Sequence, residues 1–189
     1  PSRYASLSFA NPNPAETCGP QNAVSATEEG LHWDMISQVG ALLKSKAATG
    51  PLAGLNVQYL YMSSHHGHAA TYAVAIHSRA KLGNGKPVYD GYLLPSWDNP
   101  MRLSRCGAAP ANGDPRQIIK NVGVPVIRVV PQGQVLGSVA ARRPDSDEPG
   151  DRYRLFEVAG APRMDKIYFQ HLPAVDDQIK AGQPVSVAK

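Results

Sequence analysis

Cysteine is nearly absent from this 189-residue chain, with only Cys18 and Cys106 present. Two cysteines leave one long-range disulfide, which would imply an oxidising compartment, or two free thiols. No apolar run approaches the roughly 20 residues that a membrane helix needs, which excludes a bilayer span. Charged residues are only 18% of the chain, and the net charge of +4 comes from scattered Lys and Arg. Without a basic block, nucleic acid is not an expected partner. There is no signal peptide, internal repeat or low-complexity tract. What the chain has in quantity is 42% hydrophobic residues, enough to bury a core and to exclude global disorder. It also has 17 Gly and 17 Pro, which predict many turns and irregular connections.

The length fits one domain, residues 1–189. The chain begins at Pro1 rather than Met, which reads as a processed, trimmed or partial chain. Residues 1–26 form a proline-rich, irregular lead-in. Leu31, Met35, Ile36, Val39, Leu42 and Leu43 then recur at helical spacing. Thr27 is placed to cap that helix, which stops before Gly50-Pro51.

Leu55–Met62 reads as a strand, and 69–80 as a second helix. Val88–Leu94 reads as a second strand, 116–122 as a short helix, and Val124–Val130 as a third strand. The third run is apolar throughout, as suits a strand buried on both faces of a parallel sheet. Tyr153–Ala159 is the fourth strand, reached through the polar stretch ARRPDSDEPGD, which reads as a solvated loop. The alternation predicts an α/β fold with a mainly parallel sheet and flanking helices.

The richest local chemistry follows the first strand: Ser63-Ser64-His65-His66-Gly67-His68, then a helix. A serine on a sharp strand-to-helix turn exposes its hydroxyl near the positive end of the helix. Ser64 is therefore a candidate nucleophile, and equally a plain turn serine capping the helix. Its flanking residues Met62 and His66 are larger than a tight turn normally carries. His65, His66 and His68 are spaced to bind Zn or Cu, although no carboxylate or thiol lies near them in sequence. His77, at the end of the helix stripe, reads as a structural histidine. Trp33 and Trp97 are candidates for lining a pocket or packing the core.

Several phrases in order resemble a family of bacterial α/β-hydrolase domain proteins, many of them exported. They are Arg3-Tyr4-Ala5-Ser6-Leu7, Trp33-Asp34-Met35-Ile36-Ser37-Gln38, Met62-Ser63-Ser64-His65-His66 and Thr71-Tyr72-Ala73-Val74-Ala75-Ile76-His77. Tyr89-Asp90-Gly91-Tyr92, Val124-Pro125-Val126, Arg143-Pro144-Asp145-Ser146-Asp147 and Phe156-Glu157-Val158-Ala159-Gly160 continue the match over about residues 2–168. The resemblance implies an α/β-hydrolase-like fold of which this chain carries about four strands. It implies a serine esterase-like activity with Ser64 as nucleophile and the backbone N–H of His65 as half of an oxyanion hole.

The same comparison places Gln132 and Gln134 where the family carries acids, and Arg163 where it carries histidine. A serine without a base is a poor nucleophile. His171 is the remaining candidate base and Asp98 the candidate orienting acid. Gln132, Arg163 and Trp97 are candidate binding residues, with Arg163 suited to hold a carboxylate.

Three readings follow: a serine hydrolase acting on a carboxylic ester or related acyl bond, a catalytically silent hydrolase-like binding or assembly subunit, and a histidine-based metal module. The expected small molecule is an ester substrate or ligand, with no cofactor. By the same comparison the first half of the sheet is missing and the C-terminal helix is absent or altered. A second chain or segment completing the sheet is therefore expected, in a secreted or periplasmic setting.

Overall fold

The computed structural model describes residues 32–64, 67–96, 103, 110–111, 113–139 and 142–162. Within them lies a five-stranded sheet in the order β1-β2-β3-β5-β4. The strands are β1 (Tyr61–Ser63), β2 (Gly91–Leu94), β3 (Val126–Pro131), β4 (Ser146–Glu148) and β5 (Asp151–Val158). The pairs β1–β2, β2–β3 and β3–β5 are parallel, and β4 joins β5 antiparallel as a hairpin. No helix of the described residues is long and apolar enough to cross a membrane.

Register sorts the side chains cleanly. Ser63, Leu93, Ile127 and Arg154 are level across four strands. Side chains alternate along each strand, so Met62, Tyr92, Val126 and Tyr153 point to one face and Tyr61, Leu93, Ile127 and Phe156 to the other. The first face is covered: Tyr92, Leu94, Val126, Val130 and Tyr153 are all buried. The helices that cover it are α1 (His32–Leu43) and α2 (His68–Thr71), which continues as a π-helical turn over Tyr72–Ile76. Tyr72, fully buried, shares a 2.7 Å hydrogen bond with Ser37 of α1. The Tyr89 hydroxyl donates to the Ile36 carbonyl at 2.8 Å.

Gly40 lets α1 come this close. A Cβ there would stand 2.4 Å from Val88 Cγ1 and 2.9 Å from the Tyr89 ring.

Several elements are shorter than their periodicity suggests, and side chains explain two of them. The first strand keeps only its last residues because Asp90 intervenes before them. The Asp90 carboxylate accepts the Leu60 N–H at 2.8 Å and pairs at 2.6 Å with Lys44, the residue after α1. This bridge ties α1 to the β1–β2 entrance and replaces ladder bonds there. The short helix expected over 116–122 is a single 3₁₀ turn, Pro115–Gln117. Asp114 starts it by accepting the Arg116 N–H at 2.8 Å.

The stretch expected to be a solvated loop before the last strand is largely exposed, but it is not all loop. It contains β4, so five strands are present rather than about four. Arg143 reaches back under β5, where it grips Asp151 in a two-pronged pair at 2.8 and 3.0 Å and lies 3.9 Å over the Tyr153 ring. Asp145 accepts the Leu155 N–H at 2.9 Å. Part of the charged sequence is thus spent on a strand edge and on a stacked, paired guanidinium, while Asp147 and Glu148 stay exposed.

Candidate active site

In parallel α/β sheets, ligands bind outside the carboxyl ends of the strands. Ser64 follows the end of β1 at that position and is partly exposed. Its Oγ accepts the Ala69 N–H at 2.9 Å, so the hydroxyl sits at the start of the helical segment. A free N–H group of the first turn is thereby satisfied, and the same donor would favour negative charge on that oxygen.

Around this turn the structure gathers rings from two helices. The His32 ring lies 4.1 Å from the Trp33 ring, centroid to centroid. The His68 ring lies 6.0 Å from each of them. Trp33 is buried and its Nε1–H donates to the Leu103 carbonyl at 2.7 Å, which fixes the indole. Of the pair Trp33 and Trp97, Trp33 therefore belongs to the packed wall next to His68. Sequence reasoning did not single out His32, since it is one of two aromatic rings at the start of an amphipathic helix and only the fold brings it to His68.

Gln132 follows β3. Its side-chain oxygen accepts the Gly160 N–H at 2.6 Å, and its own N–H donates to the Ala161 carbonyl at 3.0 Å. The amide thus staples the turn after β5 to the end of β3. Gln132 lies further along the sheet than Ser64 and two strands away. Arg128 is level with Leu94, one step past Ser63, and Gln132 lies four residues beyond Arg128. At about 3.3 Å per residue that is roughly 13 Å along the strand, with two strand spacings of about 5 Å across. Gln134 lies in the 3₁₀ turn that follows.

His77 is buried on the covered face, with Nδ1 2.7 Å from the Tyr92 hydroxyl. Burial lowers its pKa to about 4, helped by the charge of Lys81 and opposed by a backbone hydrogen bond at Val122. It is a neutral core histidine near pH 7. Burial likewise pushes the Tyr89 hydroxyl up to about 12.

His171, Asp98, His65, His66, Arg163, Trp97, Cys18 and Cys106 lie outside the described residues. Among the described residues no group of three His, Cys, Asp or Glu stands together in a way that would hold a metal ion.

Strand order, a serine at a strand-to-helix turn and a mostly parallel sheet converge with one further finding. A family model described as alpha/beta hydrolase domain matches residues 1–189. The chain belongs to that family. Neither the curated proteins nor the solved structures contain a match. In this hydrolase-fold domain, Ser64 sits at the end of β1, Gln132 at the end of β3 and the Gly160 turn at the end of β5.

Proposed function

We infer that this hydrolase-fold domain cleaves a carboxylic ester or related acyl bond, with Ser64 as nucleophile. The observation that carries the reading is the Ser64 hydroxyl at the strand-to-helix turn after β1, its Oγ accepting the Ala69 N–H at 2.9 Å. Ser64 Oγ attacks the carbonyl carbon, and its proton passes to an imidazole. The tetrahedral intermediate collapses, the alcohol leaves with that proton, and water repeats the sequence on the acyl-enzyme. We assign the proton to the pair His32 and His68. His32 comes from α1, a different element than Ser64, and its ring lies 6.0 Å from that of His68. The alternative source is His171 oriented by Asp98. The N–H of His65 is the proposed oxyanion donor. A second chain or segment at the free edge of β1 belongs to the same proposal.

Fluorophosphonate labelling with peptide mapping tests this on the folded protein. An adduct on Ser64 that is lost in Ser64→Ala is expected, with labelling slowed at least tenfold in His32→Gln or His68→Gln and unchanged in His171→Gln. No adduct on folded protein would sink the mechanism.

A second reading, a silent binding domain on the same scaffold, draws on Gln132. A neutral amide spent on the Gly160 N–H does not orient an imidazole or stabilise its positive charge.

A further inference from the structure

The helix that carries His68 does not stay α-helical. Over Tyr72–Ile76 it widens into a π-turn, closed by the His77 N–H donating to the Tyr72 carbonyl at 2.8 Å. Such turns are rare and occur frequently at functional sites. This one stacks two residues that are five apart. Tyr72 and His77 both face the core, where Tyr72 is fully buried and His77 nearly so. His77 Nδ1 lies 2.7 Å from the Tyr92 hydroxyl, and the Tyr72 hydroxyl lies 2.7 Å from Ser37 Oγ on α1. A regular α-helix turns about 100° per residue, so residues five apart point roughly 140° apart. One of the two bonds would then be lost.

The bond to Ser37 has a direction. Ser37 donates to the Trp33 carbonyl at 2.9 Å, so Tyr72 is the donor to Ser37. Burial raises the pKa of Tyr72, against the bond to Ser37 and with the charge of Asp34, and the phenol keeps its proton near pH 7. Tyr72 lies one turn after His68, and its N–H donates to the His68 carbonyl. Ser37 lies one turn after Trp33 on α1. The two helices therefore meet at two levels. At one, hydroxyl meets hydroxyl. At the other, the His68 ring lies 6.0 Å from the rings of His32 and Trp33. Edge-on and tilted rings tolerate a range of spacings, whereas a hydrogen bond fixes both distance and angle.

We propose that Tyr72 is a positioning residue for the two imidazoles. Its hydroxyl, aimed by the π-turn, holds α1 through Ser37 and so sets His32 against His68. This role rests on the reading in which that pair takes the Ser64 proton. Tyr72 itself touches no reacting atom in that scheme.

Tyr72→Phe removes a single oxygen and keeps the ring. Proton NMR of the full chain reads the ring contact directly, as the cross-peak between the His32 and His68 imidazoles. Tyr72→Phe and Ser37→Ala should each weaken it by at least half, with the thermal transition used to confirm folding. Ser37→Thr, which keeps the hydroxyl, should preserve it. Fluorophosphonate labelling of Ser64 should slow about tenfold in Tyr72→Phe or Ser37→Ala, and no further in the double variant, because both remove the same bond. A folded Tyr72→Phe with an undiminished cross-peak would overturn the proposal, whatever its stability. So would effects of the two substitutions on labelling that multiply. If the parent protein does not label while the cross-peak still depends on the Tyr72 hydroxyl, the positioning stands and the Ser64 reading is what fails.

Discussion

The two faces of the sheet are built from the same strands and share much of their composition, yet they lead different lives. On one face Tyr92, Val126 and Tyr153 are sealed in the core with α1 and α2, and Val130 is sealed with Val135 and Leu155. On the other, Leu93 and Ile127, each one step along from Tyr92 and Val126, and Phe156, three steps from Tyr153, remain exposed. Hydrophobicity did not decide between them. The direction in which the strands are laid down did, because handedness sends each parallel crossover to one side. An apolar residue in a strand is a statement about burial, but only topology says which of the two faces is covered within the described chain.

The covered face breaks most readily at its closest approach. Gly40→Ala drives a methyl group into Val88 and Tyr89. It should cost about 3 kcal/mol, the upper part of the range for overpacking, because both neighbours are themselves buried. Chemical denaturation should show this as a lower midpoint with an unchanged slope. An effect within about 0.5 kcal/mol, the range of an ordinary surface substitution, would mean that α1 does not pack against Val88 and Tyr89.

Acid attacks the same face. Folding holds the pKa of His77 at about 4, below the ordinary 6.5, so on acidification the unfolded chain takes up the proton first. The contribution of His77 is complete above pH 6.5 and is lost as the pH falls from 6.5 through 4. The loss is on the order of 2–3 kcal/mol. Denaturation midpoints at pH 7.5 and 4.5 should therefore diverge more in the parent protein than in His77→Leu. Equal divergence would place the imidazole in water.

The smallest contrast compares the faces directly. Val130→Ala on the covered face removes two methyl carbons from a fully buried site and should cost about 2 kcal/mol. Ile127→Ala on the open face removes more carbon from a site that is 40% exposed, and should cost about 1 kcal/mol. Equal costs would mean that the open face is as tightly covered as the other.

Much of the fold was legible in the sequence. The apolar run Val124–Val130 and the amphipathic pattern of α1 each produced an element within the expected stretch, while of the strand expected over Leu55–Met62 only Tyr61 and Met62 belong to β1. β4 was not legible. Ser146-Asp147-Glu148 has no strand propensity of its own, and it pairs because Arg143 and Asp145 bind across to β5 and Arg154 of β5 donates back to the Ser146 carbonyl. The truncation of the first strand was equally hidden, since it depends on where the Asp90 carboxylate lands, thirty residues away in sequence.

The site divides in the same way. Ser64 is readable because a serine between a strand and a helix is a local pattern. The resemblance put Gln132 at an acid position, but its bond to the Gly160 N–H required two strand ends to be neighbours. His32 beside His68 required α1 and α2 to be packed together.

The sequence by itself therefore determined the class of the fold, the family and the place of the serine, because these rest on periodicity, turn chemistry and motif order within short windows. Only the tertiary structure decided which imidazoles stand together, what the Gln132 amide is spent on, and which face of the sheet is left open. Those depend on strand order and crossover handedness, which bring together residues that no local window contains.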